Sequence, residues 1–133
     1  MSCACESGFR IQGGPRAAGD ARSGLTAELA DRLSDECLRD VHLIVSEIVN
    51  NSVMHGRVDE DGWIAIDMSV AKSWLRVAVR DSALEGEPKA REPDYEDGGG
   101  FGLFLVEALS TSWGVEHEPV LTVWFELALD GAP

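Results

Sequence analysis

The sequence predicts an α+β fold, a two-layer sandwich with helices on one face of a mostly antiparallel sheet. Two observations predict it. Two helical runs occur together early in the chain, and two runs that alternate between apolar and polar residues follow them. A short polar link over residues 71–73 joins those alternating runs, which is typical of an antiparallel hairpin. Because strands and helices do not alternate regularly, a doubly wound parallel sheet is disfavoured.

The length and charge limit the kinds of protein that this chain can be. Its 133 residues fit one domain, which we expect over residues 8–130 after a flexible N-terminus at residues 1–7. A net charge of −13 argues against direct nucleic-acid binding, since such surfaces neutralise phosphates with clustered basic residues. No apolar run approaches the roughly 20 residues that span a bilayer, so we expect no membrane segment and a cytoplasmic protein.

The first part of the chain contains a short strand and two helices. Residues 8–13 fit an edge strand that ends at paired glycines. A helix is predicted from about Arg16 to Leu33, because an apolar residue recurs every four positions: Ala17, Ala21, Leu25, Leu29 and Leu33. Ser34 or Asp35 then offers an N-cap for a second helix, which runs to Gly56 as a C-terminal stop.

The second helix carries the first candidate site. Its apolar stripe is formed by residues three and four apart: Leu38, Val41, Ile44, Val45, Ile48 and Ser52. Glu47 and Asn51 are also four apart, so they stack on the flank of this stripe, with Asn50 nearby and His55 closer to the apolar side. A carboxylate and a carboxamide one turn apart can hold a hard cation and activate a hydroxyl. The alternative is a polar flank that is merely solvated.

Strands dominate the middle of the chain until a long polar segment interrupts them. Trp63–Val70 and Trp74–Asp81 both alternate, and the second ends in a carboxylate. The next segment, about residues 82–99, has almost no apolar residues, which is typical of a functional lid or of disorder.

A glycine-rich turn and two further strands complete the chain. Gly98, Gly99, Gly100 and Gly102 lead into a third helix, where free backbone N–H groups can bind an anion, although glycines there also serve as hinges. Strands are predicted around residues 113–116 and 121–127. In the second of these, alternate residues share an apolar face: Leu121, Val123, Phe125 and Leu127.

Three separated stretches together resemble a known superfamily. Leu43–Gly56 resembles its N-box, Val77–Ser82 its first glycine-box region around the aspartate, and Gly100–Leu103 its second glycine box. The ordered set is similar to the gyrase, chaperone and histidine-kinase ATPases with the Bergerat fold. Within that superfamily the chain most resembles the short anti-sigma-factor serine kinases common in actinobacteria. The resemblance extends over roughly residues 8 to 128.

The resemblance implies a role for each candidate residue. Glu47 would be the general base that orients a serine hydroxyl toward the γ-phosphate of ATP, and Asn51 would bind Mg²⁺ through its amide oxygen. Asp81 would accept the amino hydrogen of adenine, with Thr122 assisting at the same base. The implied contacts to the rest of the nucleotide are Asn50, His55, Gly98, Gly99, Gly100, Phe101, Gly102 and Leu103.

Two positions depart from the pattern of the family. Ala83 stands where a glycine usually follows the aspartate, and a Cβ there resists positive φ and crowds an approaching adenine. Phe101 stands where a basic residue is often found, so one phosphate contact is absent.

These observations leave three hypotheses for the function. The first is an ATP-dependent serine kinase that phosphorylates an anti-sigma-factor antagonist and sequesters a sigma factor. The second is a nucleotide-binding regulatory module without efficient kinase activity, and the third is an ATPase that acts on no protein. Glu47 and Asn51 favour the first, whereas Ala83 and Phe101 favour the second. A homodimer is left open.

Overall fold

The computed structural model describes residues 5–54, 61–81, 101–117 and 120–129. The elements in these ranges are β1 (Cys5–Gln12), α1 (Ala17–Leu29), α2 (Asp35–Met54), β2 (Trp63–Val70), β3 (Trp74–Asp81), α3 (Phe101–Leu109), β4 (Ser112–Glu116) and β5 (Thr122–Ala128). The segment predicted as a lid lies outside the described residues. None of the described helices is long and apolar enough to cross a membrane.

The five strands of the described residues form one antiparallel sheet in the order β1-β2-β3-β5-β4. β2 and β3 form the predicted hairpin, with Val70 opposite Leu75 next to the turn. β3 lies in the middle of the sheet, so both its edges are hydrogen-bonded and its end is held on both sides. The predicted α+β fold with a mostly antiparallel sheet is therefore confirmed.

One face of the sheet and the helices enclose the core. Alternate residues of the strands are buried, as their period of two requires, and they meet the apolar stripe of α2. The largest fully buried side chains are Leu25, Leu29, Val41, Ile44, Val45, Val49, Ile64, Ile66, Leu75, Val77 and Phe125. Every member of the predicted stripe is buried except Leu38, which is partly buried. Val49 widens that stripe.

Several element boundaries differ from the prediction. β1 begins at Cys5, where its backbone pairs with Val70, so residues 5–7 of the expected flexible terminus are part of the sheet. α1 ends at Leu29 rather than at Leu33. A turn follows in which the N–H of Leu33 still donates to the Leu29 carbonyl, and Leu33 packs against the core from there. The four-residue repeat thus continued past the end of the helix.

The start of α2 follows the prediction. The backbone N–H of Cys37 donates to the Ser34 hydroxyl at 3.1 Å, which makes Ser34 the N-cap. Asp35 and Glu36 occupy the first turn, where negative charge favours the N-terminal end of the helix dipole. α2 is described to Met54, and the predicted stop at Gly56 lies outside the described residues.

The other face of the sheet carries charged and aromatic side chains. The Arg76 guanidinium lies 4.3 Å from the centroid of the Trp124 ring and is also 3.1 Å from Glu126. Ser112 donates to the same carboxylate. Gly114 lets this indole lie against β4, because a Cβ at Gly114 would be 2.7 Å from Trp124 Cζ2. Cross-strand pairs therefore stabilise the face of the sheet that none of the described helices covers.

Candidate functional site

The centre of the candidate site is a contact between α2 and the end of β3. Asp81, the last residue of β3, is 2% exposed and lies opposite the core residue Ile64. Residues directly opposite on antiparallel strands point to the same face, so the Asp81 side chain faces the helices. There the Ser52 hydroxyl donates to Asp81 Oδ2 at 3.1 Å. A buried carboxylate is thus held by a buried donor from α2.

The backbone joins Asp81 to the segment that enters β5. Its N–H donates to the carbonyl oxygen of Leu121 at 3.1 Å, and Leu121 is buried. Leu121 directly precedes β5, and the alternation predicted for that strand places its side chain on the face of Val123. A buried carboxylate with an apolar neighbour is an arrangement that can read a planar base by a hydrogen bond and by contact.

The side chain of Thr122 does not share the face of the sheet that carries the Asp81 side chain. Thr122 pairs with Arg80 and Glu116, and Arg80 forms an ion pair with Asp67 on the face turned away from the described helices. Thr122 therefore points away from the Asp81 side chain, and its hydroxyl donates to the Val120 carbonyl at 3.1 Å. The structure does not bring Thr122 and the carboxylate of Asp81 together. The physical reason is that neighbouring residues of a strand point to opposite faces.

The polar flank of α2 lies beside this contact. Glu47 and Asn51 are half-buried, and Asn50 is exposed. Both predicted residues of the metal and base site occupy the helix as expected, one turn apart. Ser52 directly follows Asn51, so the turn of α2 that contacts Asp81 also presents the amide. The amide oxygen of Asn51 is a ligand that suits Mg²⁺, whose remaining ligands would come from phosphate and water.

The predicted phosphate-binding residues are described only in part. Phe101, Gly102 and Leu103 form the first turn of α3, as the glycine-rich pattern predicts, and α3 packs against α2. Gly98, Gly99, Gly100 and His55 lie outside the described residues.

Sequence reasoning missed two features of α2. Ser52 was counted within the apolar stripe, and a polar residue at a stripe position was the signal for a buried partner. Ser46 is also buried, and its hydroxyl accepts a hydrogen bond from Arg22 Nη1 of α1 at 2.9 Å. Nothing in the spacing of α2 alone identifies this partner, because it lies 24 residues away.

A histidine close to Arg22 predicts that the stability of the fold depends on pH. His42 Nε2 lies 3.0 Å from the Thr26 hydroxyl. Burial lowers the pKa of His42 below its ordinary value of 6.5; Arg22 lowers it further, while a hydrogen bond with the Arg22 backbone opposes the shift. The unfolded chain therefore binds more protons below about pH 6.5. The contribution of neutral His42 to the free energy of unfolding should therefore be fully present above this pH, and it should decrease as the pH falls through it.

Denaturant titrations at a series of pH values measure this dependence. His42→Gln should flatten the decrease below pH 6.5. The same slope in His42→Gln as in the parent would assign the decrease to other groups.

Comparisons with known proteins agree with this architecture. Residues 11–125 match the histidine kinase-like ATPase domain family. Several relatives are named anti-sigma F factor. One of them, from Clostridium botulinum strain Eklund 17B, is 32% identical over 74% of this chain and 75% of its own length. Another comes from Clostridium perfringens strain SM101, 31% identical over 75% and 78%. A third, from Clostridium kluyveri, is 32% identical over 61% and 62%. The family assigns a nucleotide-binding domain to this chain, which therefore belongs to the histidine kinase-like ATPases.

Proposed function

We propose that this protein is an ATP-binding regulator of the anti-sigma-factor type. In this proposal it transfers the γ-phosphate of ATP to a serine of an anti-sigma-factor antagonist, sequesters a sigma factor, or does both. The observation that carries the proposal is the buried Asp81, which α2 contacts through Ser52 while presenting Glu47 and Asn51 on its flank. The kinship with proteins named anti-sigma F factor supports the choice of partner. Such a regulator acts in the cytoplasm, where transcription takes place.

The roles follow from the chemistry of each side chain. Asp81 would accept a hydrogen bond from the amino group of adenine, and the backbone N–H groups of Gly98 to Leu103 would bind the phosphates. Asn51 would hold Mg²⁺, which neutralises charge on the phosphates when bound. Glu47 would accept the proton of the attacking serine hydroxyl. The serine oxygen then bonds to the γ-phosphorus, the bond between the γ-phosphorus and the oxygen of the β-phosphate breaks, and ADP leaves. Asn50 and His55 are supporting contacts.

A regulatory module that binds nucleotide without efficient transfer is the second candidate. Two departures from the pattern of the family favour it, because Ala83 stands where a glycine usually follows the aspartate and Phe101 stands where a basic residue is often found. Both would weaken nucleotide contacts, while neither removes the proposed base Glu47.

Isothermal titration of ATP with and without Mg²⁺ tests the proposed nucleotide site. The parent should bind Mg-ATP, and Asp81→Asn should weaken binding roughly 10- to 100-fold, because an amide can present a donor to the amino group and leave it unpaired. Asp67→Asn is the matched control, since Asp67 lies on the opposite face of the sheet from the Asp81 side chain and pairs with Arg80. Unchanged affinity in Asp81→Asn would remove Asp81 from the base site.

A further inference from the structure

The contact between Ser52 and Asp81 is a polar pair inside the core. Ser52 is 3% exposed and lies on the buried stripe of α2. Asp81 is 2% exposed, and the two side chains meet at 3.1 Å although they are 29 residues apart in sequence. A buried hydroxyl is costly without a hydrogen-bond partner, and an alanine would fit the stripe without that cost. Packing alone therefore does not explain why a serine occupies this position.

The hydroxyl of Ser52 orients the carboxylate of Asp81. The terminal torsion of an aspartate is broad and nearly two-fold, so its side chain alone fixes the plane of the carboxylate weakly. A hydrogen bond from Ser52 to Oδ2 narrows this torsion and places the carboxylate with respect to α2. The backbone N–H of Asp81 is held in turn by Leu121. Strand, helix and side-chain bond thus fix one orientation of the acceptor.

We propose that Ser52 is a positioning residue that sets the carboxylate of Asp81 for the adenine amino group and thereby determines base preference. The inference rests on the proposed function, in which Asp81 receives that group. A purine without the amino group gains nothing from the orientation of the carboxylate. A purine with a carbonyl oxygen there places one acceptor against another. Ser52 consequently acts on recognition of the amino group and hardly at all on the phosphates.

The test compares ATP with purine riboside 5′-triphosphate, which differs from ATP only in lacking the 6-amino group. Affinities for both are measured by isothermal titration with Mg²⁺ in the parent, Ser52→Ala and Ser52→Thr. Ser52→Cys is nearly isosteric and its thiol is a weak donor, so it repeats the test if Ser52→Ala unfolds. Ser46→Ala is the matched control, because Ser46 is buried on the same helix but its hydroxyl is bonded to Arg22.

The parent should prefer ATP at least about tenfold, and Ser52→Ala should reduce that preference at least about fivefold, the effect of one lost hydrogen bond in a buried site. Affinity for purine riboside triphosphate should change less than about twofold, since no bond to the amino group is involved. Ser52→Thr retains the hydroxyl and should keep the preference, as should Ser46→Ala. Ser52→Cys should lose it.

The outcomes separate this inference from the proposed function. A parent that binds both nucleotides equally would overturn the adenine site and the role of Ser52 with it. A parent that prefers ATP, together with Ser52→Ala or Ser52→Cys that prefer it equally, would overturn only the positioning role. Equal losses for both nucleotides in those variants would also overturn it, because they would show that Ser52 acts on the fold alone.

Discussion

Glu47→Ala should lower phosphoryl transfer about 10²- to 10⁴-fold, the range for a positioned general base, while Mg-ATP binding remains roughly intact. Glu47 lies on the polar flank of α2, half-buried and one turn before Asn51. In the proposed mechanism its carboxylate acts on the attacking hydroxyl and does not contact the nucleotide. Loss of transfer without loss of affinity is therefore the expected pattern, because the interaction is made only along the reaction path.

The measurement needs an antagonist protein with an acceptor serine, since a kinase without its substrate transfers nothing. Initial rates with labelled ATP give the transfer, and isothermal titration gives the binding. Glu47→Gln keeps the size of the side chain and should be as slow as Glu47→Ala. Glu28→Ala, at an exposed glutamate in α1, should match the parent.

Two results would contradict the assignment in different ways. Transfer that is measurable in the parent and undiminished in Glu47→Ala would place the base elsewhere. A parent that binds nucleotide tightly but transfers no phosphate to any of several antagonist proteins would favour the regulatory module. In that case Ala83 and Phe101 become the first positions to revert to glycine and to a basic residue.

Periodicity predicted most of the fold because the core depends on it. The stripe of α2 and the alternation of β2, β3 and β5 give the burial that the structure shows, and the hairpin follows from a three-residue link. The boundaries of α1 were less accurate. Leu33 continues the apolar repeat from a turn, and spacing alone does not distinguish a buried turn residue from a helical one.

The candidate site shows where periodicity helps and where it does not. Alternation already places the Asp81 side chain on the same face as Val79, which pairs with Val123. Thr122 is next to Val123 in β5, so its side chain lies on the other face of the sheet. The expectation that they act together came from the resemblance, and the alternation does not place the two side chains on one face. The bond from Ser52 to Asp81 is different, because it depends on where α2 lies over the sheet. The sequence indicated only that Ser52 was polar and buried.

Asn51→Ala should remove the Mg²⁺-dependent part of nucleotide binding together with transfer. The amide is the oxygen donor that α2 would offer to the metal, one turn from Glu47 and directly before Ser52. Without it, affinity for ATP should equal that of the parent measured in a chelator, and adding Mg²⁺ should not raise it. Transfer should fall about 10³-fold, the rate equivalent of ~4 kcal/mol and within the several kcal/mol that a bound metal supplies.

Isothermal titration with and without Mg²⁺ separates this variant from Glu47→Ala, which should keep its Mg²⁺ dependence. Asn51→Asp retains an oxygen ligand at the same place, so it should bind ATP more tightly when Mg²⁺ is present, as the parent does. If Asn51→Ala responds to Mg²⁺ as strongly as the parent, the metal is held without this amide. Asn51 would then be a polar residue on the surface of α2 without a role in metal binding. Of the two neighbouring residues, Ser52 alone would contribute to the site, through its hydrogen bond to Asp81.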